Sequence, residues 1–327
     1  MTYSPLATPR RTREVLERYG LATKKSLGQH FLVNDAIIGK ILTLADVTAG
    51  ETILEVGPGI GTLSVALLRA GAHVVAIERD RDLVPVLAES TVECRRDLSA
   101  DDEGAFALIS DDALLVTADQ LRAAIEDAGI PSLPTKLVAN LPYAVAATVV
   151  LDFFQRFDFI HEETVMVQTE VAERMMAQPG SKEYGAYTVK LRLYADARGF
   201  FRVGATNFFP PPRVDSTVIR LVRNDVAETV GMTETGMNAA ADNIDLLEAA
   251  CLMADAAFAM RRKTIRNSMI GYLSSNALVL DCSKAATATE LVDALLSQAG
   301  IAPTVRGETL EPADYLALGE ILIELQE

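Results

Sequence analysis

Residues 51–80 read ETILEVGPGIGTLSVALLRAGAHVVAIERD, and this stretch decides the fold class. It predicts a strand over 52–56, a glycine-rich turn, a helix from about Thr62 to the stop signal at Gly71, and a second strand over 73–77. A strand, a crossover helix and a second strand form a βαβ unit, and such units build parallel sheets. The stretch therefore predicts an α/β protein.

Similar patterns continue along the chain. Further strands are predicted in the runs FALIS (106–110), KLVAN (136–140), TVMVQ (164–168), AYTVKLRLYA (186–195) and STVIRLVR (216–223). Only helix-like segments follow, at 244–260, 261–273, 288–299 and 311–326. We therefore expect a doubly wound, Rossmann-like α/β domain over 1–224, a linker over 225–243 and a small α-helical domain over 244–327.

Composition restricts the class of protein. The 327 residues are 50% hydrophobic, which suffices for a real core, and no stretch is long and apolar enough to span a membrane. The cysteines and histidines have no metal-like spacing, so we expect no metal site and reduced thiols in a cytoplasmic protein. We also expect the protein to act as a monomer.

Charge is unevenly distributed. The net charge of −15 argues against a nucleic-acid partner, but basic residues cluster at 10–25 and in RRKTIR at 261–266. Each cluster alone is most simply a solvated face. Together they make an anionic ligand plausible.

Three strand ends carry residues suited to an adenosine-containing cofactor. Gly57 lies in a turn where the backbone can approach a ligand, Glu78 can accept bonds from ribose hydroxyls, and Asp111 or Asp112 can accept one from an adenine amine. Each has a simpler interpretation, namely a tight turn, a chance acid or a helix N-cap. In series they favour NAD or S-adenosylmethionine.

The stretch LVANLPYAVA at 137–146 separates these two cofactors. An apolar strand is interrupted by Asn140, Leu141, Pro142 and Tyr143, an arrangement for which hydride transfer has no use. The Asn140 amide oxygen and the Leu141 carbonyl suit the hydrogens of an exocyclic amine, Pro142 fixes the backbone, and Tyr143 offers a face for a purine. This pattern predicts methylation of adenine N6.

A second aromatic interruption, FFPPPRVDSTV at 208–218, contains three consecutive prolines. They predict a stiff extended segment that holds Phe208 or Phe209 over a bound base. The simpler alternative is an ordered loop between edge strands.

With these motifs the sequence resembles the small-subunit ribosomal RNA adenine N6-dimethyltransferases, the kasugamycin-resistance family. The likeness runs from about Thr12 to Asn267 and is carried by KKSLGQHFL (24–32), LEVGPGIGTLS (54–64), AIERD (76–80), DAL (112–114), NLPY (140–143), FFPPPRVDS (208–216) and FAMRRKTIRNS (258–268).

The resemblance implies a residue-by-residue assignment. S-adenosylmethionine would contact His30, Leu32, Gly57, Glu78, Asp112 and Asn140. Asn140 and the Leu141 carbonyl would orient N6, with Pro142 between them, while Tyr143 and Phe208 sandwich the target base. Small-subunit rRNA in an immature subunit would be held by the second domain, through a basic helix that contains Arg261, Arg262, Lys263 and Arg266.

The implied reaction is double methylation of two adjacent adenines in a hairpin near the 3′ end of small-subunit rRNA. Two alternatives remain: methylation of large-subunit rRNA, against which the RRKTIRNS block and the helical domain argue, and a non-catalytic RNA-binding assembly factor, against which the intact NLPY and EVGPGIG motifs argue.

Overall fold

The computed structural model describes residues 2–22, 29–96, 104–224, 239–275, 285 and 287–325, without the side chains of 95–96 and 239–245. Its contacts divide the chain into two units. The first comprises Met1–Ala172 and Ala197–Arg223, and the second comprises Glu173–Asp196 and Asn224–Glu327.

A seven-stranded sheet forms the centre of the first unit. The strands of the unit are β1 (Phe31–Leu32), β2 (Thr52–Val56), β3 (His73–Ile77), β4 (Phe106–Ile109), β5 (Lys136–Asn140), β6 (Glu162–Gln168), β7 (Ala195–Val203), β8 (Phe208–Phe209) and β9 (Ser216–Arg223). The large sheet has the order β4-β3-β2-β5-β6-β9-β7, and β1 pairs separately with β8. The first five strands of that order run parallel, and β9 is antiparallel to β6. The predicted α/β Rossmann-like class is confirmed.

Helices precede, connect and follow these strands: α1 (Pro9–Arg18), α2 (Asp35–Leu44), α3 (Thr62–Arg69), α4 (Val84–Arg96), α5 (Ala118–Asp127), α6 (Ala146–Arg156) and α7 (Thr169–Met175). Of these, α3, α4, α5 and α6 connect successive parallel strands. The central strands β2 and β3 are buried along almost their whole length, as expected for a parallel sheet covered on both faces. No helix among the described residues is both long and apolar enough to cross a membrane.

The strand register determines where functional side chains meet. Val56 pairs with Ile77, and Ile77 pairs with Ile109, so β2, β3 and β4 end side by side. The residues that follow these strands therefore lie at one edge of the sheet. Ligands of open α/β sheets bind at this carboxyl edge.

The second unit is helical. It contains α8 (Ala186–Tyr194), α9 (Ala239–Phe258), α10 (Ile265–Leu273), α11 (Ala288–Gln298) and α12 (Pro312–Glu324). α9 packs against α8, α10 and α12. Two buried tyrosine hydroxyls bond to the segment before α12: Tyr184, just before α8, donates to Leu310 O at 2.8 Å, and Tyr315 of α12 donates to Gly307 O at 2.7 Å.

Two sequence-based expectations about this unit need correction. The run 186–195 was expected to be a strand, but Ala186–Tyr194 is helical, and the strand comes next in sequence. Its β-branched and aromatic residues suit either structure, and packing against α9 and α12 favours the helix. Residues 173–196 accordingly join the second unit. Of the expected linker 225–243, residues 225–238 lie outside the described part, and α9 already begins at Ala239.

Candidate active site

The turn between β2 and α3 requires glycine. Gly57, Gly59 and Gly61 have φ values of 69°, 63° and 86°, which L side chains rarely adopt. A Cβ atom on Gly59 would also lie 3.0 Å from the Phe31 ring. The turn thus opens the backbone toward a ligand at the amino end of α3.

Thr62, the first residue of α3, supplies an independent sign of a ligand. Its hydroxyl oxygen is buried and has no hydrogen-bond partner among the described residues. Thr62 also lines the cavity described below. A buried polar atom without a partner is costly, so a polar ligand at this position would relieve the cost.

Glu78 holds the glycine turn from the adjacent strand end. Its Oε2 accepts a hydrogen bond from the Gly59 N–H at 3.1 Å, and its Oε1 accepts one from the Asp80 N–H at 2.7 Å. Burial raises the pKa of this carboxyl, and the backbone hydrogen bonds oppose that increase. Glu78 therefore shapes the ligand-facing backbone in addition to any contact of its own with a ribose.

Asp112 lies beyond the next strand end, as the sequence predicted. Its Oδ1 accepts the Leu114 N–H at 3.1 Å, and its Oδ2 forms an ion pair with Arg79 at 3.1 Å. Arg79 follows Glu78 directly and lines the same cavity. The two acids expected to bind adenosine thus line one cleft, where the Arg79 guanidinium pairs with Asp112.

Asn140 is fixed at the carboxyl end of β5. Its Nδ2 donates to the carbonyl of His30 at 3.1 Å, which leaves Oδ1 available to a ligand. Leu141 is buried, and its N–H donates to Met166 O at 3.2 Å. Pro142 lies against the glycine turn, where a Cβ atom on Gly57 would meet it at 3.4 Å.

Tyr143 is held on both its ring and its hydroxyl group. The His30 ring stacks beside it with centroids 5.6 Å apart and an interplanar angle of 26°. Its hydroxyl lies 2.6 Å from Ser216 Oγ, and burial raises the pKa of the phenol. His30 Nδ1 in turn lies 2.8 Å from Pro210 O. The four-residue motif and His30 therefore form one connected network.

The expected role of Phe208 is contradicted. Phe208 is only 3% exposed, pairs with Leu32 in the β1–β8 ladder and belongs to the hydrophobic core. It does not line the cavity, whereas Phe31, on the partner strand, does. The two-residue strand β8 thus turns Phe208 into the core, away from the cleft that Tyr143 lines.

Glu55 is a cavity residue to which sequence reasoning gave no role. It is 1% exposed, and burial raises the pKa of its carboxyl to about 8. The Ser64 hydroxyl lies 2.5 Å from its Oε2 and favours the ionised form. In the sequence, its position inside a buried strand directly before the glycine turn was the feature that could have indicated a cavity residue.

These residues enclose one cleft of about 210 Å³. Of the predicted site residues it is lined by His30, Leu32, Gly57, Glu78, Asp112, Asn140, Leu141, Pro142 and Tyr143. The lining also includes Asp111, Ala113, Val145 and Val149. Among the described residues, no group of three or more His, Cys, Asp or Glu is placed to hold a metal ion.

The predicted RNA-binding cluster lies in the second unit and is not a basic helix. Arg261, Arg262 and Lys263 are exposed in the turn between α9 and α10, because α9 ends at Phe258 and Thr264 caps α10. Arg266 lies in α10, where its Nε and the Asp293 Oδ1 are 2.6 Å apart.

The pairing of Arg261 separates it from its two neighbours. Arg261 pairs with Glu308 at 3.6 Å and donates to the carbonyls of Lys182 and Tyr184. Within the described part of the chain, Arg262 and Lys263 have no ion pair. They are therefore the cations of this turn most available to an anionic ligand.

Comparison with known proteins identifies the family. The family model described as Ribosomal RNA adenine dimethylase matches residues 20–234. Ribosomal RNA small subunit methyltransferase A of Streptomyces griseus is 37% identical over 96% of this chain and 94% of its own length. The protein of the same name from Geobacillus kaustophilus is 36% identical over 99% of both chains.

Solved structures agree on the fold. The crystal structure of a dimethyladenosine transferase from Plasmodium falciparum superposes with a TM-score of 0.65, at 21% identity, over 88% of this chain and 96% of that one. At that level of identity the likeness supports the architecture alone.

Proposed function

The chain belongs to the ribosomal RNA adenine dimethylase family, and on that premise we propose that it methylates N6 of two adjacent adenines in small-subunit rRNA. Each adenine, in a hairpin near the 3′ end, receives two methyl groups. The methyl donor is S-adenosylmethionine, whose sulfonium supplies an activated methyl group when bound. The proposal extends to the setting: a cytoplasmic monomer acting on an immature subunit.

The orientation of Asn140 carries the proposal. Its Nδ2 is committed to the His30 carbonyl, so its Oδ1 is the atom left to accept a hydrogen bond inside the cleft. An amine with two hydrogens suits this oxygen and the Leu141 carbonyl together. When both of its hydrogens are bound in this way, the amine nitrogen is held with its lone pair free to attack an electrophile.

The remaining cleft residues fit the donor. The glycine turn allows close approach of the backbone, Glu78 and Asp112 lie at neighbouring strand ends, and the Thr62 hydroxyl lacks a partner. We assign the ribose to Glu78 and the adenine amine to Asp112, with His30, Leu32 and Gly57 as further contacts. The donor then lies beside Asn140, since all these residues line one cleft.

Positioning accounts for most of the proposed catalysis. The N6 lone pair of adenine is delocalised into the ring, which makes the nitrogen a poor nucleophile in solution. Acceptors oriented toward its hydrogens favour a tetrahedral nitrogen whose lone pair can attack. Holding two reactants in line replaces an unfavourable encounter by an effectively unimolecular step. Tyr143 offers an aromatic face for the base once it leaves its stack.

We assign the basic turn of the second unit to rRNA. Arg261, Arg262 and Lys263 are exposed, and Arg266 is the second residue of α10. Contacts to phosphate supply affinity without reading sequence. The cleft of the first unit then performs the chemistry, and the helical unit contributes to binding of the ribosomal subunit.

The test is transfer of label from S-adenosylmethionine to under-methylated small subunits, followed by mapping of the modified nucleotides. We expect dimethyladenosine at two adjacent positions near the 3′ end, and much slower labelling with the Asn140→Ala variant. Large subunits serve as the matched negative substrate. Label on large-subunit rRNA alone, or binding of small subunits without any transfer, would refute the proposal.

A further inference from the structure

β7 is an edge strand with an unusual outward face. It spans Ala195–Val203 and lies at one end of the seven-stranded sheet, beside β9. Alternate residues Arg198, Phe200 and Arg202 are all exposed. Phe200 is 57% exposed, one of the most exposed large apolar side chains in the described chain. We call these three residues the β7 face.

The opposite side of the strand fixes this orientation. Phe201 packs against the hydrophobic core and Val203 belongs to it, while a Cβ atom on Gly199 would meet a Leu44 methyl group at 3.0 Å. Because successive side chains of a strand point to opposite faces, burial of Phe201 and Val203 directs Phe200 and Arg202 outward. The exposure of Phe200 therefore follows from the burial of the other face of β7.

We propose that the β7 face binds a segment of the rRNA substrate outside the reaction cleft, with Phe200 stacked on an unpaired base and the two arginines on phosphates. This inference rests on the proposed function. An aromatic ring between two guanidinium groups, which are separated by about 13 Å of strand, is the combination that single-stranded RNA recognition uses.

Local charge supports RNA over an apolar protein partner. Asp196, at the start of the strand, is the only acid in β7, against two arginines in a chain of net charge −15. Arg198 and Arg202 interact with other residues of the chain, and both remain exposed to solvent.

The β7 face is connected to the target side of the cleft. Residues 204–207 join β7 to β8, and β8 pairs with β1, whose Phe31 and Leu32 line the cleft. The Val33 N–H also donates to Asn207 O at 2.8 Å. Backbone pairing thus joins β7 to a strand that lines the cleft.

Two variants and two matched controls test the proposal. The variants are Phe200→Ala and the double change Arg198→Gln with Arg202→Gln. The controls are Leu115→Ala, which removes another exposed apolar side chain, and Arg122→Gln, which removes an exposed arginine of the same unit. Affinity for under-methylated small subunits is measured at several salt concentrations, with S-adenosylmethionine affinity, kcat and KM measured alongside.

We expect Phe200→Ala to weaken subunit binding about tenfold without changing its salt dependence, because it removes stacking and no charge. The double arginine variant should weaken binding and reduce the salt slope by roughly one to two. Neither should change S-adenosylmethionine affinity or kcat at saturating subunits. If both variants bind like the controls, the proposal is overturned.

The same binding series with protein-free small-subunit rRNA distinguishes RNA from a ribosomal protein. Equal losses on free rRNA and on subunits support the proposal, whereas losses confined to subunits overturn it in favour of a protein contact. Binding is measured without methyl transfer, so this result holds even if the parent protein transfers no methyl group and the proposed function fails.

Discussion

The amide group of Asn140 donates to the carbonyl of His30, 3.1 Å away and 110 residues earlier in the chain. The hydrogen bond joins the end of β5 to the segment before β1. It decides which end of the amide faces the cleft, because a donor already used in this way leaves the oxygen as the free acceptor. The contact depends on the His30 backbone and not on its ring.

Asn140→Ala should reduce the single-turnover rate of methylation by about 10²-fold or more, the scale for loss of one preorganised polar group. Orienting the amine is a transition-state task, so affinity for the subunit should change little. Rapid-quench methylation and subunit binding on one preparation check this. A variant that transfers methyl groups at the parent rate would exclude Asn140 from the reaction.

His30→Ala separates the ring from the backbone. The carbonyl that holds Asn140 remains, while the ring beside Tyr143 is lost. We therefore expect a smaller loss of rate than for Asn140→Ala, together with weaker binding of S-adenosylmethionine if the ring contacts it. Calorimetry and single-turnover rates give the two numbers. A loss of rate as large as that of Asn140→Ala would assign the reaction-centre role to the imidazole.

Tyr143 and Ser216 should be changed together. Tyr143→Phe keeps the aromatic face but leaves the fully buried Ser216 hydroxyl without its 2.6 Å partner. We expect most of the activity to remain, with a loss of about 1–3 kcal/mol in stability. Adding Ser216→Ala should recover part of that stability. Tyr143→Ala should lose stacking and rate, so equal inactivity of the Phe and Ala variants would contradict a stacking role.

Periodic apolar runs and glycine spacing were sufficient to predict β2, α3 and β3, because buried parallel strands are encoded locally. The strand-end residues Glu78, Asp112 and Asn140 were likewise predictable, since parallel strands end at one edge. Local patterns failed for residues 186–194, whose helix depends on packing against distant segments.

Long-range pairing also explains the error at Phe208. Its inward orientation comes from pairing with β1, about 180 residues away, and the proline run that follows gives no sign of this. Glu55 illustrates the same limit. Its raised pKa depends on complete burial by surrounding elements, and the identity of neighbouring residues in sequence does not determine this.

Stability should fall as pH rises, because of Glu55. Burial raises the pKa of this carboxyl from 4.5 to about 8, so between these values the folded state holds a proton that the unfolded state has lost. The free energy of unfolding then decreases by up to about 1.4 kcal/mol per pH unit over that range and levels off above pH 8.

Glu55→Gln removes this titration, and denaturant midpoints at pH 5.5 and pH 8 should lie closer together than in the parent. Burial also raises the pKa of Glu163, so some pH dependence of the same sign should remain. Glu163→Gln should remove that remaining part and also narrow the interval, without altering the cleft, which Glu163 does not line. An unchanged interval between the two midpoints in Glu55→Gln would contradict the assignment.

The three cations of the basic turn and Arg266 of α10 should not act as four equivalent charges. Arg262 and Lys263 are exposed without an ion pair in the described chain, whereas Asp293 holds Arg266 through two hydrogen bonds of 2.6 and 2.9 Å. A compensated cation releases fewer counterions when RNA binds. The double change Arg262→Gln with Lys263→Gln should therefore weaken subunit binding and reduce the salt slope by roughly two units at most.

Arg266→Gln should reduce the slope by less than one unit, and Asp293→Asn, which releases Arg266 from its partner, should steepen it. Affinities measured from low to physiological salt give all the slopes, and S-adenosylmethionine affinity should stay the same in each variant because the cleft lies in the other unit. If Arg266→Gln and the double variant change the slope equally, the ion pair with Asp293 does not withhold Arg266 from RNA. If none of the variants changes it, the turn is a solvated surface and rRNA is held elsewhere.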